Sequence, residues 1–389
     1  MHYEHNNCLN GQIAFDLSTM QTQPHFPKEF LWTKGEIHSI KPNNFEENHV
    51  LELNEPLIDL DGFFKGDQES IKNAAALINK ACTSHGFFQV TNHGVDSNLI
   101  QEAEKELDSL FKLPLEKKLR VQRKAGDLYG YSGAHTDRFS KQLPWKETFS
   151  LAYNYRDQRA IIGSHRTPSV VDYVTSTLGE EFEHTGWVYQ KYCEAMKKLS
   201  LAIFELLAIS LGIERSHYRR FFEDGSSILR CNSYPKCKEP GLTYGTGPHC
   251  DPTSLTILHQ DQVGGLEVFA NNKWQAVRPK QDALVINIGD TFMALSNGRY
   301  KSCMHRAMVN KDKERRSLAF FVNPAEDKVV RPPHDLLVPR DEGTFCRTYP
   351  DFKWSHLLEF TQKHYRSDLT TLHNFFLWLP SSKFGLPLS

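Results

Sequence analysis

Leu255-Thr256-Ile257-Leu258-His259-Gln260, Leu266-Glu267-Val268-Phe269, the pair Asn271-Asn272 and Trp274-Gln275-Ala276-Val277 follow one another in a single stretch of the chain. They read as three short β-strands. Asparagine tolerates positive φ, so Asn271-Asn272 suits a tight turn between the last two. The same texture extends both ways from this stretch. Ile228–Asn232 precedes it, and Ala283–Ile288, Ala307–Val309 and Ser317–Val322 follow. Many short strands at such spacing predict a closed double sheet, a double-stranded β-helix of jelly-roll or cupin-like type.

Helical periodicity takes over outside the strands. Ile71, Ala74, Ala75, Ile78, Ala81 and Cys82 recur at three- and four-residue spacing over 69–82, one face of a helix. Phe87–Val90 then reads as a strand, and Asp96 as the cap of a helix with the stripe Leu99, Ala103, Leu107, Leu110 and Phe111. A longer helix is expected over 186–211, ended by Gly212. Residues Ala125 to Lys146 read as a long loop, and long loops in compact domains are often functional. The tail after Pro332 is expected to be helical, its stripe Leu369, Leu372, Phe376 and Leu379 packing on the barrel. The fold class is therefore mainly β with flanking α. We divide the chain into a weakly ordered N-terminal arm at 1–50, an N-terminal helical and mixed region at 51–224, the jelly-roll core at 225–330 and a C-terminal helical segment at 331–389.

Composition excludes several classes. The 389 residues carry a formal net charge of −1, so nothing in the overall charge favours nucleic acid or an anionic membrane. Near the C-terminus the longest apolar run is Phe375 to Leu379, too short to span a bilayer. The start, Met-His-Tyr-Glu-His-Asn-Asn, lacks the features of a secretory signal. Eight scattered cysteines without a Cys-x-x-Cys pair fit a reducing cytosol, with the nucleus also open to the protein. A monomer is the simplest expectation.

The chemistry concentrates in Gly247-Pro248-His249-Cys250-Asp251-Pro252 and in His305. In a strand, residues two apart point to the same side, so His249 and Asp251 can address one metal ion. His305 follows at a separation that lets several barrel strands intervene. Two imidazoles and one carboxylate are the facial ligand set of non-haem iron(II) oxygenases and leave positions open. His135-Thr136-Asp137 repeats the spacing but lies in the long loop, with no comparable histidine and basic anchor downstream. It is expected to be a non-metal pair near the substrate entrance. His259 is expected to fill or border the core.

Arg315 and Ser317 are also two apart and can face the barrel interior while Arg316 faces out. A guanidinium fork with a neighbouring hydroxyl suits a carboxylate. The expected guest is a small dicarboxylate whose keto-acid end chelates iron and whose far carboxylate meets Arg315. Asn232 and Tyr234 offer a second alternating pair, and Tyr234 could donate to the same carboxylate.

Together these motifs resemble the plant 2-oxoglutarate and iron(II)-dependent dioxygenases, from about Leu57 to Tyr365. The His-x-Asp…His triad, Arg315-x-Ser317, Asn232-x-Tyr234-Pro235 and His85-Gly86-Phe87-Phe88 stand in the expected order. Leu143-Pro144-Trp145-Lys146-Glu147-Thr148 and Asn287-Ile288-Gly289-Asp290-Thr291 look like the gibberellin 20-oxidase subfamily. Lys236 and His259 depart from the usual pattern without touching the ligands. The resemblance implies iron(II), O2 and 2-oxoglutarate, with ascorbate as reductant. It implies stepwise oxidation of carbon 20 of a diterpenoid acid of the GA12 or GA53 type to a C19 gibberellin. A related activity at another gibberellin position or on a flavonoid stays open, as does a metal-holding barrel that binds without turnover.

A tetracyclic diterpenoid needs an apolar pocket with a few placed polar groups. From the long loop, Tyr131, Phe139 and Trp145 are expected to supply the first, and Arg138 or Lys146 the second. The alternative is that Trp145 packs the loop on the barrel and both cations are exposed. Glu147 is expected to hold the loop rather than to act as a base.

Overall fold

A computed structural model describes residues 8–9, 12–13, 25–32, 51–124, 126–136, 142–154, 168–339, 345–364 and 371–379. Among these residues the chain builds two antiparallel-dominated sheets facing one another. We label the strands that matter β1 (Leu57–Asp59), β2 (Phe87–Thr91), β3 (Gly130–Gly133), β4 (Glu147–Asn154), β5 (Ser226–Tyr234) and β6 (Thr246–His249). There follow β7 (Leu255–Gln260), β8 (Leu266–Ala270), β9 (Lys273–Ala276), β10 (Leu284–Ile288), β11 (His305–Ala307) and β12 (Arg315–Val322). The major sheet runs β1-β2-β10-β7-β12-β5-β4-β3 and the minor sheet β9-β8-β11-β6. This is the expected jelly roll. Asn271 and Asn272 make the β8–β9 turn with φ of 53° and 60°.

Each central strand of the major sheet has two working faces. Leu229, Cys231, Leu318, Phe320, Leu284 and Ile286 turn outward into the main core, which the helices complete. Their neighbours face the minor sheet, where Val285 and Phe87 pack against Leu266 and Val268. The outer face is covered by α1 (Gln68–Ser84), α2 (Ser97–Phe111) and α3 (Glu183–Leu211). The caps follow from sequence. The Asp67 carboxylate accepts from the Ser70 amide, Asp96 from the Asn98 amide, and Gly212 closes α3 in the left-handed region at φ 75°.

Three expectations need correction. The N-terminal region is expected as helical and mixed, with strands at 57–60 and 87–90; it also supplies β3 and β4, so that β1 to β4 make four of the eight strands of the major sheet. The stretch expected to be one long loop contains β3, paired with β4 from Gly130↔Ser150 to Gly133↔Glu147. Within the supposed arm, 25–32 docks firmly: Phe30 is fully buried, and Phe26 and Phe30 lie against Trp145 at 5.5 and 5.0 Å between ring centres. At the other end, α4 (Trp354–Lys363) and α5 (Thr371–Trp378) pack on the core through Trp354, Leu357, Leu372 and Phe375. Phe376 is only half-buried, Leu379 is buried, and Leu369 lies outside the described residues.

Candidate metal centre and co-substrate wall

β6 and β11 pair so that His305 sits directly across from His249, with ring centres 4.3 Å apart. Nδ1 of His249 lies 2.9 Å from the Gly247 carbonyl and Nδ1 of His305 lies 3.2 Å from the Cys303 carbonyl. A carbonyl can only accept, so each Nδ1 carries a proton and leaves Nε2 as the atom that a neutral ring presents to a metal. Those Nε2 atoms lie 3.6 and 3.7 Å from Oδ1 of Asp251. The second carboxylate oxygen, Oδ2, is occupied, accepting from the Thr256 hydroxyl at 2.7 Å and the Asn287 amide at 2.9 Å. The major sheet, through β7 and β10, thus orients a ligand carried next to the minor sheet.

All three donor atoms fall within 4.8 Å of one another. Burial and the neighbouring His249 pull the His305 imidazole down to about 4, so it stays neutral over the physiological range. Burial alone would raise Asp251; the His305 and His249 imidazoles and the Asn287 amide reverse that and hold its carboxyl well below the usual range. Two neutral nitrogens and one anionic oxygen converge without a fourth protein ligand among the described residues, which fits a divalent iron with open positions. His259 is elsewhere, its Nε2 2.9 Å from Glu104.

The adjoining wall is β5 against β12. Arg315 lies opposite Tyr234 and Ser317 opposite Asn232, all four on the inner face. The Arg315 guanidinium stands 4.9 Å from the Tyr234 ring centre and donates to Gln260 at 2.9 Å, while its Nε has no partner among the described residues. Ser317 Oγ accepts from the Asn232 amide at 3.3 Å. A buried donor left unpaired costs about 1–3 kcal/mol, a cost that a bound carboxylate would remove. Arg316 points outward to Asp108 at 2.7 Å.

The loop residues divide. Lys146 is buried and faces the cavity, as does His135. Tyr131 and Trp145 do not line it, which corrects their assignment to substrate. The Tyr131 hydroxyl donates to Glu147 at 2.5 Å, and Lys118 donates to the same oxygen at 2.9 Å. Trp145 is sandwiched by the docked N-terminal segment and its Nε1 donates to the Lys236 carbonyl at 3.3 Å. Glu147 is therefore the loop's internal clasp. Arg138, Phe139 and Asp137 lie outside the described residues.

Two cavity cations escaped the sequence reading, Arg306, which is paired with Glu267, and Arg230. Arg230 shares the inner face of β5 with Asn232 and Tyr234, donates through Nε to Ser150 at 3.1 Å, and stacks 5.2 Å from Phe321. The two-residue alternation that identified Asn232 and Tyr234 would have found it one step earlier. Leu358 and Gln362 of α4 line the same cavity, a contribution no local motif announces.

A profile of the 2OG-Fe(II) oxygenase superfamily matches residues 225–324, and one of the N-terminal region of non-haem dioxygenases in morphine synthesis matches 56–170. Gibberellin 20 oxidase 3 of Arabidopsis thaliana is 49% identical over 98% of this chain and 96% of its own length. Gibberellin 20 oxidase 2 of Oryza sativa subsp. indica is 51% identical over 95% and 90%. Among solved structures, JOX2 in complex with 2OG, Fe and JA superposes with a TM-score of 0.75 at 28% identity, over 93% of this chain and 97% of that one. The rice dioxygenase for auxin oxidation gives 0.63 at 27% identity, over 79% and 95%.

Proposed function

The chain belongs to the gibberellin 20-oxidases of the 2OG-Fe(II) oxygenase superfamily, and on that premise we propose that it oxidises carbon 20 of C20 gibberellins stepwise to C19 products. The observation that carries this assignment is that the His249–Asp251–His305 cluster and the under-satisfied Arg315 open onto one cavity. His249, Asp251 and His305 would hold iron(II), which activates O2 when bound. Arg315 and Ser317, with Tyr234 and Asn232, would hold the far carboxylate of 2-oxoglutarate and so fix the direction from which its keto-acid end approaches the metal. Ascorbate would keep the iron reduced.

The diterpenoid would lie beyond Asn232, toward Ile228, Phe321 and α4, where the wall turns apolar. Arg230 is the cation at that end and would take a carboxylate of the gibberellin. Residues 225–330 form the iron and co-substrate core, 51–224 the region that extends its sheet and covers it, and 331–389 the segment that closes the substrate end. No helix among the described residues is long and apolar enough to cross a membrane. We place the enzyme in the cytosol as a monomer; eight scattered cysteines without a Cys-x-x-Cys pair fit a reducing compartment.

The test is a panel of C20 and C19 gibberellins and flavonoids, supplied with iron, ascorbate and 2-oxoglutarate, with products identified by mass. Loss of carbon 20 from C20 gibberellins is expected. Turnover only at another position, or only of flavonoids, would overturn the assignment.

A further inference from the structure

Lys146 is buried at 4% exposure and lines the cavity beside Thr246 and Tyr234. Its Nζ donates to the Thr246 hydroxyl at 3.0 Å, and that hydroxyl lies 3.4 Å from the hydroxyl of Tyr234. Lys146 and Arg315 both approach the Tyr234 ring, at 5.9 and 4.9 Å from its centre. The backbone holds the lysine in place: the Ala134 amide donates to the Lys146 carbonyl at 2.8 Å, and the Lys146 amide to that of Pro144 at 2.9 Å.

We propose that Lys146 is a positioning residue for the co-substrate, fixing the direction of the Tyr234 hydroxyl through Thr246. This rests on the assignment of Arg315, Ser317 and Tyr234 to 2-oxoglutarate. An ammonium has donors and no acceptor, so on the Lys146 contact Thr246 must accept. The threonine proton can then go to the Tyr234 oxygen, 3.4 Å away. With that oxygen accepting, the phenolic proton turns to a further acceptor, and the dicarboxylate beside Arg315 provides one. In the chain Lys146→Thr246→Tyr234 the first link is fixed by an ammonium that cannot accept, and the second by a bound carboxylate that takes the one phenolic proton.

Full-length wild type, Lys146→Met, Lys146→Arg and Thr246→Val, loaded with Mn(II), are titrated calorimetrically with 2-oxoglutarate. Pyruvate, which keeps the keto-acid end but lacks the far carboxylate, is measured by competition. Lys146→Met and Thr246→Val are expected to weaken 2-oxoglutarate roughly tenfold and to leave pyruvate unchanged. Lys146→Arg, also donor-only, recovers most of the loss. Equal weakening of both acids would mean a collapsed site and would overturn the proposal, as would unchanged 2-oxoglutarate binding or a loss confined to gibberellin. If wild type itself binds no 2-oxoglutarate, the assignment beneath the proposal fails instead.

Discussion

The cavity has walls of two kinds, and they work differently. On β5 and β12 the polar inner residues stand in register across two strands, Arg315 beside Tyr234 and Ser317 beside Asn232. Their directions are set by the sheet. On β3 and the rim that follows it, direction is set by side-chain partners outside the strand pairing: Tyr131 turns to Glu147 and Lys118, and Trp145 to the distant Phe26 and Phe30. A strand wall can thus be altered one rung at a time, whereas a rim residue is tied to a separate segment. Variants on the two should fail in different ways.

The largest effect belongs to the metal ligands. Asp251→Ala removes the only anion of the triad and leaves Thr256 and Asn287 without their acceptor. Turnover should be abolished and Mn(II) binding by the purified protein lost. Full activity at trace iron would remove Asp251 from the ligand set. The same sheet pair predicts a pH response of the metal-free chain. An unfolded imidazole protonates near pH 6.5, whereas His305 resists until about 4. Below pH 6.5 the unfolded state therefore binds the extra proton. Stability is complete above that pH and falls by about 3 kcal/mol as pH drops through 4. Urea unfolding midpoints of the metal-free protein between about pH 4 and 7 would show it. A flat metal-free profile would contradict the buried neutral ring.

The next contrast divides the β5–β12 wall itself. Arg315→Ala should raise the 2-oxoglutarate requirement roughly a hundredfold with little change in gibberellin KM. Arg230→Leu should do the reverse, raising gibberellin KM roughly tenfold while 2-oxoglutarate binding stays near wild type. If both variants moved the same KM, the wall would not be divided into two ends.

The difference between wall and rim also decides what could be read in the sequence. Period-two alternation placed His249 with Asp251 and Arg315 with Ser317 because a strand leaves no choice of side. The same rule contains Arg230, two residues before Asn232 on the same face of β5. It could say nothing of Thr256 and Asn287 behind Asp251, since that meeting depends on which strands neighbour β7. Tyr131 and Trp145 were misassigned because an aromatic near a site carries no direction until its packing partners are known. For Trp145 those partners lie more than a hundred positions earlier in the chain, in a segment whose composition suggests little order.

The smallest effect tests that correction. Trp145→Phe keeps an aromatic against Phe26 and Phe30 but loses the Nε1 bond to the Lys236 carbonyl and part of the buried ring. The bond is long at 3.3 Å, and the cost should be about 1 kcal/mol of stability. Because the ring faces the docked N-terminal segment rather than the cavity, both KM values should stay near wild type. A selective rise in gibberellin KM without loss of stability would return Trp145 to the substrate. A shift in 2-oxoglutarate KM alone would mean that displacing the ring moves its neighbour Lys146. The rim would then act on chemistry through that lysine, by the same route its contacts to Thr246 and Tyr234 lay out.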